Sequence, residues 1–582
     1  MRKFVVWGDN ALARRLVGEL INTYSAQVTV IVPDLTANQA PEIADIRADD
    51  DPDERPVVIA ARKLTKAVFE TADLSDADAI AFVDTDDVAN VDAALIAREV
   101  DPTIRVVLRM FNTVLGAGVM ERLSNCAVLS ASEIAAPAFV AAALGDSSPT
   151  TVRLSDGQQL VAIDRSLANP ADIRCGLANT ADADSLPTDP DRADLVLASL
   201  YGRRAGPARG QRKRRHPLRA TRILLRGSGL RRVLVSSLAI LALGTVAVAV
   251  ARHVGIWRAV YFAVLTALGG ANPDPDATTS AQAVDIVLVV AGVAIIPALT
   301  AAVVGIVVKA RLAIASGGLT EPIAGHVVVV GLGNVGTRVV RELHDQGIDV
   351  VAVDRDERAR GVQASRDLGL PVIIGDATNP DTLSAASVAT ARCLVVVTTA
   401  DVTNLEAALL GRDLARRAGL DVTLRVVLRL FEEDFARRIK TAFDINLSRS
   451  VSYLAAPAFA ASMVGSEVID TIPVGRRVLL LAEVPVGAGS QLEGKYFREV
   501  SEPGLVRLVA VQTGRAGLGV GVQTFWAPEQ NRWRTLDRTH TMVVVATRVG
   551  LVALLARAAG VDNPPPFHPP SAPPLLTPQP RG

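Results

Sequence analysis

Residues 326–336 read HVVVVGLGNVG, and this stretch decides the fold of the region around it. A nearly continuous apolar run is typical of a buried parallel strand. The glycine motif GxGxxG follows that run and opens a helical pattern, and a second apolar run, Asp349–Val353, ends at Asp354. The motif becomes specific when it follows a strand, opens a helix and has an acidic residue about 20 positions further on. The glycines would let the backbone approach a pyrophosphate at the helix N-terminus, and Asp354 would accept hydrogen bonds from a ribose.

This part of the sequence repeats an earlier part. Three motifs recur in the same order in both halves, as expected for a duplicated domain rather than for chance. The pairs are VVLRMF at 106–111 and VVLRLF at 426–431, AAPAF at 135–139 and 455–459, and DVAN at 87–90 and DVTN at 401–404. We therefore predict two copies of one α/β domain.

The glycine turn of the first copy is degenerate. Residues 8–13 read GDNALA, so only Gly8 remains of the three motif glycines. Asn10 tolerates unusual backbone angles better than most residues, but Ala13 adds a methyl group at the close-packed third position. Asp34 still ends the second apolar run. We expect a scaffold role for this copy, with dinucleotide binding as the open alternative.

Two uncharged apolar segments lie between the copies, at Val233–Ala251 and Ile286–Val308. A membrane-spanning helix needs about 20 apolar residues, so both segments are long enough. Charged residues bracket both segments, which argues against the alternative of two buried helices in a soluble protein. A basic cluster at residues 203–232 precedes the first segment, and the positive-inside rule places it in the cytoplasm. The sequence predicts a multi-pass protein of a bacterial cell membrane with both termini cytoplasmic.

The basic cluster also indicates which molecules the chain binds. Anionic lipid head groups explain such a cluster beside a membrane span more simply than nucleic acid does. We therefore expect membrane lipids, and no nucleic acid, among the partners.

The segment between the two predicted spans resembles part of a pore. Residues 257–268, WRAVYFAVLTAL, are apolar but too short to span, and glycines follow at once. Irregular backbone at membrane depth is tolerated where it is buried in protein or lines a water-filled path. The order of span, short helix, glycine turn and span predicts a two-span pore module for a monovalent or divalent cation, closed by a homotetramer. The predicted filter residues are Thr266, Ala267, Leu268, Gly269, Gly270, Ala271 and Asn272.

Neither metal chemistry nor catalysis is indicated. The three cysteines, Cys126, Cys175 and Cys393, are far apart, and the six histidines form no metal-ligand spacing. A membrane dehydrogenase would need a general acid or base beside its hydride site, such as a paired histidine and carboxylate. The sequence shows no such constellation, so we expect neither a catalytic residue nor a metal site.

Both copies resemble RCK domains, the regulators of potassium conductance found in potassium channels and transporters. The resemblance implies Rossmann-like α/β domains that bind NAD(H) or another adenine nucleotide. It places residues 375–377 at the adenosine and Arg429 near the phosphates. The expected nucleotide residues are Gly331, Leu332, Gly333, Asn334, Val335, Gly336, Asp354, Arg355, Asp376, Ala377, Thr399 and Arg429.

Together with the predicted pore, the chain is similar to RCK-gated potassium channels and to the plant CASTOR and POLLUX type of ion channel. The filter departs from the TVGYG of potassium channels, because residues 267–271 read ALGGA. Two functions stay open: a nucleotide-regulated cation channel subunit, and a membrane-anchored nucleotide sensor that conducts nothing. The predicted domains are a first copy at 1–165, a basic linker at 166–229, a pore module at 230–312, a second copy at 323–466, a β-rich lobe at 467–556 and a proline-rich tail at 563–582.

Overall fold

The structure is a computed structural model of the 582-residue chain. It forms two compact units, residues 1–208 with 324–582 and residues 209–323, and each is considered by itself. The predicted proline-rich tail and most of the basic cluster lie outside the described residues. The structure describes residues 2–49, 51, 53–145, 149–154, 158–180, 184–199, 228–270, 277–315, 323–419, 424–431, 436, 438, 439, 442, 443, 447–474, 477–513, 523–526 and 531–559.

The first copy forms a six-stranded parallel sheet in the order β3-β2-β1-β4-β5-β6. This is the strand order of a doubly wound dinucleotide-binding fold. Its strands are β1 (Lys3–Trp7), β2 (Gln27–Val32), β3 (Val57–Ala60), β4 (Ala79–Phe82), β5 (Arg105–Arg109) and β6 (Cys126–Leu129). Its helices are Ala11–Tyr24, Ala40–Ala44, Lys66–Thr71, Asp87–Val100, Thr113–Arg122 and Ala131–Leu144.

The first antiparallel sheet follows in the chain, in the order β10-β9-β11-β8-β7. Its strands are β7 (Thr150–Arg153), β8 (Gln159–Asp164), β9 (Ile173–Asn179), β10 (Asp184–Ser185) and β11 (Leu195–Ser199). Three of these strands lie at residues 173–199, so the prediction that a linker begins at residue 166 was wrong. Short strands separated by polar loops carry too little periodicity to be recognised from sequence.

The second copy forms a parallel sheet in the equivalent order, β14-β13-β12-β15-β16-β17, which confirms the predicted duplication of an α/β domain. Its strands are β12 (Val327–Val330), β13 (Val350–Asp354), β14 (Val372–Ile374), β15 (Cys393–Val396), β16 (Arg425–Arg429) and β17 (Leu447–Arg449). Its helices are Asn334–Asp345, Arg360–Asp367, Pro380–Ala385, Asp401–Arg417 and Val451–Val464.

The predicted β-rich lobe contains a second antiparallel sheet, in the order β18-β19-β22-β20-β21, followed by a helix at Arg548–Ala558. Apolar residues of this sheet and of the earlier antiparallel sheet share one core. The two antiparallel sheets also have equivalent strand orders, so the duplication extends to this lobe. The strands are β18 (Glu467–Val474), β19 (Arg477–Pro485), β20 (Val506–Thr513), β21 (Gln523–Trp526) and β22 (His540–Ala546).

The last helix of each α/β copy packs on the other copy. The Ala131–Leu144 helix contacts the Asn334–Asp345 helix of the second copy, and the Val451–Val464 helix contacts the Ala11–Tyr24 helix of the first. Both exchanged helices are apolar on nearly all sides, which is typical of buried helices. The exchange joins the two copies through one continuous core.

Within its described residues, the second compact unit contains three helices, at Ser228–Arg252, Ile256–Ala267 and Thr279–Ala315. Among its described residues, one segment, Val235–Arg252, is long and apolar enough to cross a membrane by length and composition. The second predicted span, Ile286–Val308, lies within the longest helix, whose described apolar stretch is shorter. The two-span module therefore stays a prediction.

Close packing joins these three helices. An added Cβ at Gly244 would lie 2.3 Å from Leu288, and one at Gly292 would lie 1.7 Å from the carbonyl oxygen of Ala267. An ion pair between Arg252 and Asp285, with 2.5 Å between Nη2 and Oδ2, links the first helix to the third. Glycine thus allows direct backbone contact at the end of the short helix.

Candidate nucleotide-binding site

A cavity of about 430 Å³ lies at the carboxyl ends of the strands of the second copy. Ligands of open α/β sheets bind at this edge, beside the central strands. Of the expected nucleotide residues, Leu332 and Gly336 do not line the cavity. Those that line it are Gly331, Gly333, Asn334, Val335, Asp354, Arg355, Asp376, Ala377, Thr399 and Arg429.

Two of the motif glycines are required by the fold itself. Gly331 has a φ of +91°, and an added Cβ would lie 2.9 Å from the backbone nitrogen of Thr398. An added Cβ at Gly336 would lie 1.8 Å from the carbonyl oxygen of Gly331. These glycines let the helix and the turn pack directly on the strand ends.

Gly333 is different, because nothing in the protein requires it to be glycine. Its φ of −72° and ψ of −160° are extended backbone that any residue adopts. An added Cβ would find no heavy atom of the described chain within 4 Å. Gly333 lines the cavity and caps the N-terminus of the Asn334–Asp345 helix. A bare backbone here leaves room for an anion at the positive end of the helix.

The carboxylate of Asp354 is held beside this turn. Its Oδ2 accepts a hydrogen bond from the Leu332 N–H at 2.5 Å, and its Oδ1 accepts one from the Asp356 N–H at 2.9 Å. Leu332 therefore contributes a backbone N–H rather than a side chain. The fixed acceptor at the end of β13 suits the hydroxyls of a ribose.

Asp376 provides a second carboxylate at the cavity edge. It accepts hydrogen bonds from the N–H of Thr378 at 2.9 Å and from its hydroxyl at 2.8 Å. These hydrogen bonds, with a smaller contribution from Arg355, lower the pKa of Asp376 below its ordinary value. The carboxylate therefore stays ionised at neutral pH and acts as an acceptor only.

Asn404 positions the neighbouring strand ends, a role that the site prediction missed. Its side chain is fully buried. Oδ1 accepts from the Thr398 N–H at 3.1 Å, and Nδ2 donates to the Arg429 carbonyl oxygen at 2.9 Å. Asn90 donates to the Arg109 carbonyl oxygen at 2.9 Å in the same way. The repeated DVAN and DVTN motifs were the signal for this role.

The first copy forms one wall of the cavity, which the sequence did not reveal. Its contribution includes Arg109, at the end of β5, and the adjoining Phe111. The first-copy residues of the wall are Thr85, Asp87, Arg109, Met110, Phe111, Ser130, Ala131 and Ser132.

Arg338 connects the Asn334–Asp345 helix to this wall. Its Nε donates to the Ser132 hydroxyl at 3.1 Å, and its Nη2 donates to the Ser130 hydroxyl at 3.3 Å. The same Nη2 donates to the Phe111 carbonyl oxygen at 3.1 Å and lies 3.6 Å from Glu133. The guanidinium also lies over the Phe111 ring, 5.2 Å from its centroid. A displacement of the glycine-turn helix would therefore reach the first copy directly.

The equivalent turn of the first copy is closed by its own residues. The Asn38 amide donates to Asp9 Oδ2 at 2.7 Å, and the Gln39 N–H donates to the Asp9 carbonyl oxygen at 2.9 Å. The Asn10 amide donates to the Val83 carbonyl oxygen at 2.7 Å. These contacts connect the turn to the loop after β2 and to the end of β4. They support the expectation that this copy is a scaffold.

The predicted filter region lies at the C-terminal end of the short helix of the second compact unit. Gly269 has a φ of +76°, and its N–H donates to the Thr266 carbonyl oxygen at 3.1 Å. The Gly270 N–H donates to the Leu265 carbonyl oxygen at 2.9 Å. This is a Schellman C-cap, which by itself accounts for the glycine at 269. Thr266, Ala267, Leu268, Gly269 and Gly270 belong to this helix end, while Ala271 and Asn272 lie outside the described residues.

Comparison with known proteins agrees with the second copy's geometry. Residues 327–445 match the family model of the TrkA-N domain. The chain is 27% identical over 206 residues to a Trk system potassium uptake protein TrkA homolog of Pyrococcus horikoshii, covering 34% of this chain and 84% of the relative. A TrkA homolog of Pyrococcus abyssi is 27% identical over 198 residues, covering 33% of this chain and 83% of the relative.

A solved structure described as the GsuK channel bound to NAD is also similar to this chain. The similarity covers 94% of this chain and 77% of the other, with 14% sequence identity and a TM-score of 0.46.

Proposed function

We propose that this chain is a nucleotide-regulated subunit of a cation channel in a bacterial cell membrane, with both termini cytoplasmic. The observation that carries the proposal is Gly333, whose bare backbone opens the helix N-terminus to the cavity. The match of residues 327–445 to the TrkA-N domain supports a regulatory role in potassium transport. So does the similarity to TrkA homologs that are named for potassium uptake.

The proposed ligand is NAD(H) or another adenine nucleotide. The helix N-terminus at Gly333 suits a phosphate, and Asp354 at the end of β13 suits a ribose diol. A carboxylate at that position repels a 2′-phosphate, which favours NAD(H) over its phosphorylated form. Asp376 is the acceptor proposed for the adenosine.

Exposed apolar side chains support membrane insertion of the second compact unit. On the first helix Leu238 is 71% and Leu243 76% exposed, and on the longest helix Val287 is 67% exposed. A buried helix of a soluble protein would cover such side chains. The 37 residues of Thr279–Ala315 would extend about 55 Å, beyond the roughly 30 Å hydrocarbon core of a bilayer. The proposal places both long helices in lipid, and a homotetramer encloses the path of the cation.

Ion flux through liposomes tests this function. The full chain is reconstituted, and potassium, sodium and calcium flux are measured with and without NAD(H) or ADP. We expect a nucleotide to change the flux of at least one cation. Gly333→Val, which places a side chain in the phosphate space, should remove the response.

The matched control is Gly18→Val. Gly18 also has open space around an added Cβ, but it lies on the Ala11–Tyr24 helix and does not line the cavity. This variant should respond as the wild type does. An unchanged nucleotide response in Gly333→Val would contradict the proposed site.

A second candidate function is a membrane-anchored nucleotide sensor that conducts no ions. The C-cap at Gly269 and Gly270 favours it, because the carbonyl oxygens of Leu265 and Thr266 already accept hydrogen bonds there. In this case nucleotide binding would persist in the reconstituted chain without flux of any cation.

A further inference from the structure

The cavity of the second copy receives one arginine from each copy. Arg429 is the last residue of β16, and Arg109 is the last residue of β5. Both side chains line the same cavity. The exchanged helices bring these equivalent strand ends to one place.

We propose that Arg109 and Arg429 form a phosphate-binding pair, so that this site selects nucleotides with at least two phosphates and requires both copies of the domain. The proposal rests on the nucleotide site proposed above and adds a ligand class and a role for the first copy. The degenerate copy would then retain one ligand-binding residue after its own turn has closed.

Each arginine is held in place by the same local structure. Buried Asn90 and Asn404 donate to the carbonyl oxygens of Arg109 and Arg429, in both cases at 2.9 Å. Arg109 also donates from Nη1 to the Val83 carbonyl oxygen at 3.1 Å. The backbone of each arginine is therefore fixed, which leaves the guanidinium groups to meet a ligand with little loss of freedom.

The positive charges of the two arginines, which line one cavity, also favour an anion between them. Burial, followed by the like charge of Arg109, lowers the pKa of Arg429 to about 10. Burial also lowers the pKa of Arg109 below its ordinary value, and the charges of Asp84 and Asp87 offset only part of this effect. Two guanidinium groups at one cavity repel each other, and a phosphate would stabilise both through charge-assisted hydrogen bonds.

The carboxylates near the two arginines already accept hydrogen bonds from backbone N–H groups: Asp84 and Asp87 beside Arg109, and Asp401 beside Arg429. Asp87 accepts hydrogen bonds from the N–H groups of Phe111 at 2.9 Å and Asn112 at 2.8 Å. Arg429 Nε is buried and has no hydrogen-bond partner in the described part of the chain. The Arg429 guanidinium lies 4.3 Å from the Phe431 ring centroid, which orients it without supplying an anion.

The cavity then offers two places for phosphate. One is the helix N-terminus at Gly333, and the other is the arginine pair. A monophosphate fills only the first, whereas a diphosphate or a dinucleotide fills both. The arginine pair should therefore matter for the second phosphate and little for the first.

The test is isothermal titration of the full chain in detergent with AMP, ADP and NAD. The wild type should bind ADP and NAD more tightly than AMP. Arg109→Ala should weaken ADP and NAD binding by about tenfold to a hundredfold, as expected for lost charged hydrogen bonds, and change AMP binding little. Arg109→Lys keeps the positive charge but not the planar guanidinium group, so its affinity for ADP and NAD should fall less than that of Arg109→Ala.

Arg122→Ala is the control, because Arg122 lies at the end of the Thr113–Arg122 helix and does not line the cavity. If Arg109→Ala and Arg109→Lys both leave the ratio of ADP to AMP affinity unchanged while Gly333→Val abolishes binding, the arginine pair is refuted and the nucleotide site stands. If the wild type binds none of the three nucleotides, the proposed function fails and this inference fails with it.

Discussion

The two α/β copies share a strand order, but the glycine turn is closed in the first copy and faces a cavity in the second. In the first copy Asp9 accepts hydrogen bonds from Asn38 and Gln39, so the turn is joined to the loop after β2. In the second copy Gly333 faces an open cavity. The first copy nevertheless supplies one wall of that cavity. A duplicated domain can thus lose its own binding site and still contribute residues to the site of the other copy.

The comparison is sharpest at the third glycine of the motif. Gly336 of the second copy corresponds to Ala13 of the first, and Ala13 is fully buried without conflict. An added Cβ at Gly336 would lie 1.8 Å from the Gly331 carbonyl oxygen, so the backbone must move. We expect Gly336→Ala to cost roughly 3–4 kcal/mol of unfolding free energy, measured by urea unfolding. Ala13→Gly should cost about 1 kcal/mol, and equal costs would refute the distinction.

The next effect concerns the contacts between the copies. Arg338→Ala removes charged hydrogen bonds to Ser132, Ser130 and the Phe111 carbonyl oxygen. The unfolding free energy should fall by about 2 kcal/mol. Arg360 also lies over the Phe111 ring, 5.6 Å from its centroid, and Arg360→Ala should lower the unfolding free energy by less. A larger loss from Arg360→Ala in the same urea titration would contradict the importance of the Arg338 hydrogen bonds.

Two equivalent glutamates predict a difference in pH dependence. Glu19 lies 3.6 Å from Arg548, which offsets part of the rise in pKa that burial causes at Glu19. Glu342 has no such cation among the described residues and lies half-buried near Asp470 and Asp345. Burial, followed by those two negative charges, raises the pKa of Glu342 from 4.5 to about 8. Burial likewise raises the pKa of Asp470 to about 7.

Because the folded chain binds the Glu342 proton more tightly, stability should fall as pH rises from 4.5 to about 8. Glu342→Gln should remove roughly 1–2 kcal/mol of that fall, as judged from urea midpoints across this range. Burial also raises the pKa of Glu19, but Arg548 offsets part of that rise, so Glu19→Gln should flatten the profile less than Glu342→Gln does. A profile that Glu342→Gln leaves unchanged would place the titration elsewhere.

The smallest effect is expected in the closed turn of the first copy. Asp9→Gly removes an exposed hydrogen-bonding group and should change the unfolding free energy by less than about 1 kcal/mol. Nucleotide stoichiometry from titration should stay at one per chain, because the first copy's site does not depend on this residue alone. A rise to two per chain would show that Asp9 only masks a functional second site.

Much of this fold could be predicted from sequence, and the exceptions have physical causes. The parallel strands and the glycine turn carry local signals, an apolar run and a motif, that need no tertiary information. Strands β9 to β11 lie among polar loops, so they were assigned to a linker. The first-copy wall around Arg109 depends on exchanged helices, a feature of packing that no local pattern encodes.

The site residues also divide into those that local sequence predicts and those that depend on tertiary contacts. Asp354 lines the cavity, because its place after a strand determines its position. Leu332 and Gly336 matched the motif but serve the turn and its packing. Gly269 matched a filter-like pattern, yet a C-cap also requires glycine with a positive φ. One residue type can thus satisfy two different physical requirements, and only the tertiary contacts distinguish them.

The central claim is that the second copy binds a nucleotide through the backbone at Gly333. The most direct test is calorimetric titration of the full chain with NAD, comparing wild type, Gly333→Val and Gly18→Val. The account predicts one site per chain in the wild type and in Gly18→Val, and loss of binding in Gly333→Val without loss of stability. Undiminished NAD binding by a folded Gly333→Val chain would contradict the account.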